Sequence, residues 1–150
     1  MKPVYMINGF LESGKTQFIS YTLGQPYFQS RETTLLVLCE EGVEEYDEKL
    51  LKKSHTVMEV IENEEDFTPE YLTELEKKHK PGRIIIEYNG MWNIRNMKLP
   101  RSWRIEQQIT TIDGSTFPMY YTNMRSQLAE MVKNSEMIIM NRCDGVQDLN

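Results

Sequence analysis

The chain has 150 residues, and 17 Lys and Arg against 23 Asp and Glu leave a formal net charge of -6. This length fits one domain that buries an ordinary apolar core without disulfide bonds. A net-acidic chain lacks the basic field that a nucleic-acid backbone requires, so we expect no nucleic-acid partner. We also expect no membrane span and a reducing, cytoplasmic setting, because the chain has neither a long apolar segment nor the apolar core of a secretion signal.

Short apolar runs alternate with longer polar or amphipathic stretches along the chain. The predicted strands are Val4 to Ile7, Leu35 to Leu38, Thr56 to Ile61, Arg83 to Glu87, Ile109 to Ile112 and Met137 to Met140. Several of these runs do not alternate polar with apolar residues, which is typical of strands covered on both faces of a parallel sheet. The prediction is therefore an α/β fold, with a mostly parallel twisted sheet and helices on both faces.

Two helices are indicated by their ends and by their apolar spacing. Thr68 can cap a helix whose first position is Pro69, a residue with no amide proton to lose there. This helix is expected to run to about Lys80, where Pro81 and Gly82 end it. A second helix is predicted over residues 123–133 from apolar residues at helical spacing.

A phosphate-binding loop follows the first strand. Residues 9–16 read GFLESGKT and match the pattern GxxxxGK[ST] at every fixed position. The glycines let successive amides turn toward phosphate oxygens, Lys15 supplies a charge to the β- and γ-phosphates, and the Thr16 hydroxyl can ligate Mg²⁺. The predicted nucleotide-binding residues of this loop are Gly9, Glu12, Ser13, Gly14, Lys15, Thr16 and Gln17.

Glu87 and Gly90 end the fourth predicted strand. In a parallel sheet, ligands gather at the carboxyl ends of the strands. Glu87 is therefore predicted to act on the Mg²⁺ shell or the attacking water, and Gly90 to present its amide to a γ-phosphate. The alternative is a strand-terminal acid beside a turn glycine.

The last predicted strand leads into Asn141, Arg142 and Asp144, in the pattern NxxD. The Asp144 carboxylate can accept two hydrogen bonds from a guanine edge, whereas adenine presents the opposite pattern there. Arg142 can stack on a base through its guanidinium plane. These residues therefore predict guanine selectivity, and the alternative is an Asn- and Asp-rich turn after the strand.

An acidic segment follows the second predicted strand, with six acids between Glu40 and Glu48. Such a run usually forms a solvated helix start. Glu40, which is closest to the strand end, is a candidate for reaching Mg²⁺ when a nucleotide binds.

Together these segments resemble the CobW/HypB/UreG family of P-loop GTPases, most closely its CobW-like branch. The resemblance rests on the order of INGFLESGKTQFI, LCEEGVEEYD, IIIEYNG, TIDGSTF and QLAEMVKNSEMIIMNRCD along the chain. It implies a GTP hydrolase that uses GTP and Mg²⁺ and helps deliver zinc, cobalt or nickel to a metalloprotein client, commonly through nucleotide-dependent homodimers.

The sequence departs from this branch at the metal motif. The branch usually carries Cys-x-Cys-Cys after its third strand, whereas residues 63–68 here read NEEDFT. We expect His55 and His79 to be solvated, and Cys39 and Cys143 to be small buried hydrophobes. The sequence therefore predicts no tight site for zinc or another transition metal in residues 1–150.

Two features concern the limits and surface of the domain. Residues 1–150 are expected to form a GTPase domain that stops before its closing strand and helix. Between Tyr88 and Ile105 the chain carries four basic residues, two tryptophans and no acid. This basic aromatic insert is either a loop whose tryptophans pack on the sheet or a docking element for a partner.

Three functions stay open at this point. The first is a GTPase switch in metal handling or metallocofactor assembly, which would be slow without a partner because no glutamine is placed to orient water. The second is a P-loop kinase or phosphotransferase acting on a small molecule. The third is a nucleotide-binding interaction module with little turnover.

Overall fold

The computed structural model describes residues 1–9, 14–39, 46–113 and 137–141, with the backbone alone for residues 113 and 137–141. Numbered in chain order, the strands are β1 (Lys2–Asn8), β2 (Thr34–Leu38), β3 (Thr56–Val60), β4 (Arg83–Glu87), β5 (Trp103–Asp113) and β6 (Met137–Asn141). The helices are α1 (Lys15–Leu23), α2 (Glu48–Lys53) and α3 (Pro69–His79).

These strands form one six-stranded sheet in the order β3-β2-β4-β1-β5-β6. Every pairing in it is parallel. Because all six strands run in the same direction, their carboxyl ends lie at one edge of the sheet. The predicted α/β fold with a parallel sheet is confirmed.

Helices cover both faces of the sheet. On one face, Leu72 and Leu75 of α3 pack against alternate residues of β2 and β4, such as Val37 and Ile86. On the other face, Ile19 of α1 and the α2 leucines pack on the intervening strand residues. The non-alternating apolar runs follow from this two-sided burial, because each strand must supply apolar side chains in both directions.

Helix α3 begins and ends close to the predicted residues. The Thr68 hydroxyl accepts a hydrogen bond from the Tyr71 amide at 3.2 Å, and Pro69 occupies the first turn. Lys80 ends the helix in the left-handed conformation, with φ 48°. The predicted helix over residues 123–133 lies outside the described residues.

Strand β5 is longer than the sequence predicts. It begins at Trp103 rather than Ile109, and it pairs with β1 from Lys2 onward, with a register shift between Val4 and Tyr5. After the buried Trp103, residues 104–108 are polar or exposed, so no apolar run marks the first half of the strand. Its position beside the central strand, which the sequence pattern does not reveal, determines where it begins.

The two tryptophans of the basic aromatic insert pack against the domain. Trp103 is buried, and its indole nitrogen donates to Glu76 Oε1 at 2.6 Å. Trp92 is half-buried and packs on the apolar cluster under α3. The packing alternative therefore holds for both tryptophans, while the side chains of Arg95, Lys98, Arg101 and Arg104 are exposed.

Candidate nucleotide site

The glycines at both ends of the phosphate loop adopt conformations that favour glycine. Gly9 has φ 142° and Gly14 has φ 97°, both in the region that L side chains rarely adopt. Gly14 is also the residue that precedes α1, and its carbonyl accepts the Phe18 amide at 2.9 Å. The two fixed glycines of the motif are therefore required by the backbone.

Helix α1 begins directly after this loop with no side-chain cap and no acid in its first turn. The first amides of a helix have no partner within the helix, and the helix dipole adds positive potential at this end. An anion is the partner that best satisfies both. The start of α1 is therefore suited to a phosphate group.

Lys15 is a buried lysine at the start of α1, with 3% of its surface exposed. Its ammonium donates to the carbonyl of Gly9 at 2.7 Å and to the carbonyl of Tyr88 at 3.3 Å. It thus joins the beginning of the phosphate loop to the segment that follows β4. The charged end of this buried side chain therefore lies at the phosphate loop.

Glu87 is the other buried charge of this region, with 1% of its surface exposed. It lies at the carboxyl end of β4, between Leu38 of β2 and Ile7 of β1 in the strand register. The Thr16 hydroxyl donates to Glu87 Oε1 at 2.7 Å, and the Tyr46 hydroxyl donates to Glu87 Oε2 at 2.6 Å. The structure therefore brings together Lys15, Thr16 and Glu87, as the sequence predicts.

Gly90 lies in the turn that follows β4, where its neighbours are fixed by Asn89. The Asn89 side chain accepts the Met91 amide at 2.8 Å, and the Asn89 carbonyl accepts the Trp92 amide at 3.1 Å. No described residue accepts a hydrogen bond from the Gly90 amide.

Tyr88 connects Glu87 to the insert. Its ring makes edge-to-face contacts with Phe67 at 5.4 Å and with Trp92 at 5.6 Å between ring centroids. Burial raises the pKa of the Tyr88 phenol, and the Glu64 carboxylate raises it further. The Tyr88 phenol therefore stays neutral and its ring packs against its neighbours. The backbone carbonyl of Tyr88 accepts a hydrogen bond from Lys15.

The remaining predicted site residues divide into two groups. Gln17 lies exposed on the first turn of α1, and the backbone of Asn141 ends β6 at the same sheet edge, opposite Asp113. The other predicted site residues lie outside the described residues: Glu12, Ser13, Glu40, Arg142 and Asp144. Their predicted roles stay predictions.

Tyr46 is the site residue that the sequence analysis missed. It lies near the end of the acidic segment and directly precedes Asp47, whose side chain caps α2 by accepting the Lys49 amide at 2.9 Å. The helix therefore starts at the end of the acidic run rather than within it. A single aromatic residue among acids, next to a capping residue, was the available signal for a buried anchor.

Residues considered as soft metal ligands are placed apart. Cys39 is buried, as expected. His55 is exposed, but the expectation of a solvated His79 is wrong: it is half-buried, with its ring Nε2 2.7 Å from Glu59 Oε1. Within the described ranges, no group of three or more His, Cys, Asp or Glu side chains is arranged to hold a metal ion.

The central strand, the glycine turn, the buried lysine and the acid of the neighbouring strand define a P-loop nucleotide-binding domain. A family model described as the CobW/HypB/UreG nucleotide-binding domain matches residues 3–150, and the chain belongs to this family. Searches of the curated proteins and of the solved structures return no match. None of the helices in the described part of the chain is long and apolar enough to cross a membrane.

Proposed function

We propose that this domain binds GTP with Mg²⁺ and hydrolyses it slowly, as a switch of the CobW-like type. The observation that carries the proposal is the pair of buried charges, Lys15 and Glu87, with the half-buried Thr16 hydroxyl bonded to Glu87 at the phosphate loop. Membership of a family of nucleotide-binding domains supports it. The alternatives are a kinase acting on a small molecule and a binding module with little turnover.

The donor set fits Mg²⁺. This ion takes oxygen ligands in octahedral geometry and usually retains several waters. The Thr16 hydroxyl gives its proton to Glu87 Oε1, which leaves the lone pairs of Thr16 Oγ1 for a cation. Thr16 would hold the ion directly, and Glu87 would hold it through a water or directly. When bound, the ion would neutralise charge on the β- and γ-phosphates.

Each of the proposed site residues then has a distinct role in binding and hydrolysis. The loop glycines and the start of α1 direct backbone amides to the phosphates, and Lys15 contacts the β- and γ-phosphate oxygens. Gly90 offers its amide to the γ-phosphate, where it would register whether that group is present. Glu87 orients water near the ion. Hydrolysis is expected to be slow, because no glutamine is assigned to the attacking water.

Guanine selectivity is proposed from the NxxD pattern. Asn141 ends β6 at the same sheet edge as the phosphate loop, two strands from β1. This placement is consistent with a base site beside the phosphate site. Asp144 would accept the guanine edge, and Arg142 would stack on the base.

A role in metal delivery is the finer part of the proposal. It rests on the CobW-like resemblance, which implies a cytoplasmic metalloprotein client and a nucleotide-dependent homodimer. The segment in place of Cys-x-Cys-Cys contains carboxylates, which prefer hard ions over zinc. We therefore propose that the client or another segment, rather than residues 1–150, provides the transition-metal ligands.

Calorimetric titration of GTP in the presence and absence of Mg²⁺ tests the proposed site. We expect wild type to bind GTP more tightly with Mg²⁺, and Thr16→Ala to lose most of that difference because it lacks the hydroxyl ligand. Thr73→Ala is the matched control, because Thr73 is a half-buried threonine of α3 whose hydroxyl donates to the Pro69 carbonyl. Equal Mg²⁺ dependence in wild type and Thr16→Ala would contradict the assignment.

Competition between GTP and ATP tests base choice. We expect GTP to bind at least about tenfold more tightly, because hydrogen bonds to a charged group contribute about 1.5–3 kcal/mol each. Asp144→Asn should remove the preference. Equal binding of ATP would favour the kinase hypothesis.

A further inference from the structure

The Tyr46 hydroxyl makes a close contact with the buried acid of the nucleotide site. Its oxygen lies 2.6 Å from Glu87 Oε2, and 7% of Tyr46 is exposed. The other oxygen of the same carboxylate receives the Thr16 hydroxyl at 2.7 Å. Each oxygen of Glu87 is therefore held by a hydroxyl from a different segment.

This arrangement restricts the terminal side-chain torsion of Glu87, which sets the plane of its carboxylate. The terminal torsion of a Glu side chain is broad and roughly two-fold, so packing alone does not fix the plane of its carboxylate. Two donors on opposite oxygens fix that plane. They also satisfy a charge that burial would otherwise make costly.

Tyr46 is itself held firmly. Its ring belongs to the apolar cluster that includes Ile7, Leu36 and Ile85, on the sheet face that α1 covers. The next residue, Asp47, caps α2. The backbone of Glu87 is fixed as well, because its carbonyl accepts the Cys39 amide at 2.9 Å. Both partners of the hydrogen bond thus start from rigid elements.

We propose that Tyr46 is a positioning residue for Mg²⁺ binding: it fixes the carboxylate of Glu87 so that Thr16 and Glu87 together present preorganised oxygens to the ion. The inference rests on the proposed function, because the ion arrives with a nucleotide. Because this role runs through Glu87, which acts on the ion rather than on the phosphates, the effect of Tyr46 is expected in the Mg²⁺-dependent part of GTP binding.

The test measures GTP affinity as a function of Mg²⁺ concentration. The midpoint is the Mg²⁺ concentration that gives half of the maximal increase in GTP affinity. Tyr46→Phe keeps the ring in the apolar cluster and removes the hydroxyl. We expect this midpoint to rise about tenfold, while GTP affinity in EDTA changes by less than about twofold. Tyr71→Phe, a half-buried tyrosine on α3, should leave both quantities unchanged.

A double-mutant cycle with Glu87→Gln separates positioning from a general loss of structure. In the Glu87→Gln background no buried carboxylate depends on Tyr46. There, Tyr46→Phe should raise the Mg²⁺ midpoint by less than about twofold. This background also keeps the test valid if Tyr46→Phe alone unfolds, because the double variant no longer buries the carboxylate that loses the Tyr46 hydroxyl.

Three results would overturn the inference. One is an unchanged Mg²⁺ midpoint in Tyr46→Phe, which leaves the proposed function intact. The second is an equal loss of affinity in EDTA and in Mg²⁺, which would make Tyr46 a structural residue. The third is a rise in the Mg²⁺ midpoint on Tyr46→Phe that is as large in the Glu87→Gln background as in wild type. Failure of wild type to bind GTP would contradict the proposed function too, and the wild-type titration identifies that case.

Discussion

Two charged clusters of this chain differ in how far water reaches them. Lys15 and Glu87, at the carboxyl edge of the sheet, are 3% and 1% exposed. At the outer strand β3, Glu59 contacts Lys78 at 3.1 Å and His79 at 2.7 Å, and the side chains of Glu59 and Lys78 are 21% and 65% exposed.

The contrast in exposure makes the buried cluster the better candidate for a function beyond stability. Exposed ion pairs contribute about 0–1 kcal/mol and are tolerated almost anywhere on a surface. Buried charges lose hydration that their partners only partly replace, so they are a poor way to stabilise a fold. Under the proposed function the buried cluster meets a ligand that needs those charges, whereas the outer cluster needs no ligand to account for it.

Removing one lysine from each cluster gives the largest expected difference. Lys15→Ala should weaken GTP binding by at least about 100-fold, because it removes a desolvated charge from the β- and γ-phosphates. Lys78→Ala should leave GTP binding within about twofold of wild type. Calorimetry on the two variants checks this, and similar affinities in both would remove the distinction between the clusters.

Neutralising one acid from each cluster is expected to give a smaller difference in GTP affinity between the two variants. Glu87→Gln keeps the shape of the side chain but removes the charge beside the ion, so we expect Mg²⁺-dependent GTP affinity to fall about tenfold. Hydrolysis should fall at least as much. Glu59→Gln serves as the matched control in the same binding and phosphate-release assays. A normal rate in Glu87→Gln would exclude this acid from the chemistry.

The smallest effect is a pH dependence of stability at the outer cluster. The hydrogen bond with His79 lowers the pKa of Glu59, with Lys78 lowering it further against the opposing effect of burial. A carboxyl with a lowered folded-state pKa stabilises the protein above its unfolded pKa, and this contribution is lost as pH falls through the folded value. Glu59→Gln should therefore cost less than about 1 kcal/mol near pH 7.

Urea unfolding at neutral and acid pH measures that cost. The difference between wild type and Glu59→Gln should shrink as pH drops below about 4. Glu74→Gln, an exposed acid on α3, should show no such trend. A difference that grows toward acid pH would reverse the assigned sign.

Short sequence motifs predicted those parts of the fold and the site that a few neighbouring residues determine. The glycine turn, Lys15 and Thr16 follow one fixed motif, and Glu87 follows from the rule that ligands gather at the carboxyl ends of parallel strands. Thr68 and Pro69 identified the start of α3 because capping is decided within one turn.

Contacts between distant segments were not predictable. Tyr46 reaches Glu87 across 41 positions of sequence, and only the strand order brings them together. The first half of β5 was missed because its pairing with β1 comes from topology rather than from an apolar pattern. His79 was expected to be solvated because nothing local shows that α3 lies beside Glu59.

A crystal structure of the chain with Mg²⁺ and a non-hydrolysable GTP analogue tests the central claim most directly. The account predicts the ion about 2.0–2.1 Å from Thr16 Oγ1, with Glu87 on or beside its coordination shell. Lys15 Nζ should contact β- and γ-phosphate oxygens above the loop that begins at Gly9. A nucleotide bound elsewhere, with Lys15 Nζ away from every phosphate oxygen, would contradict it.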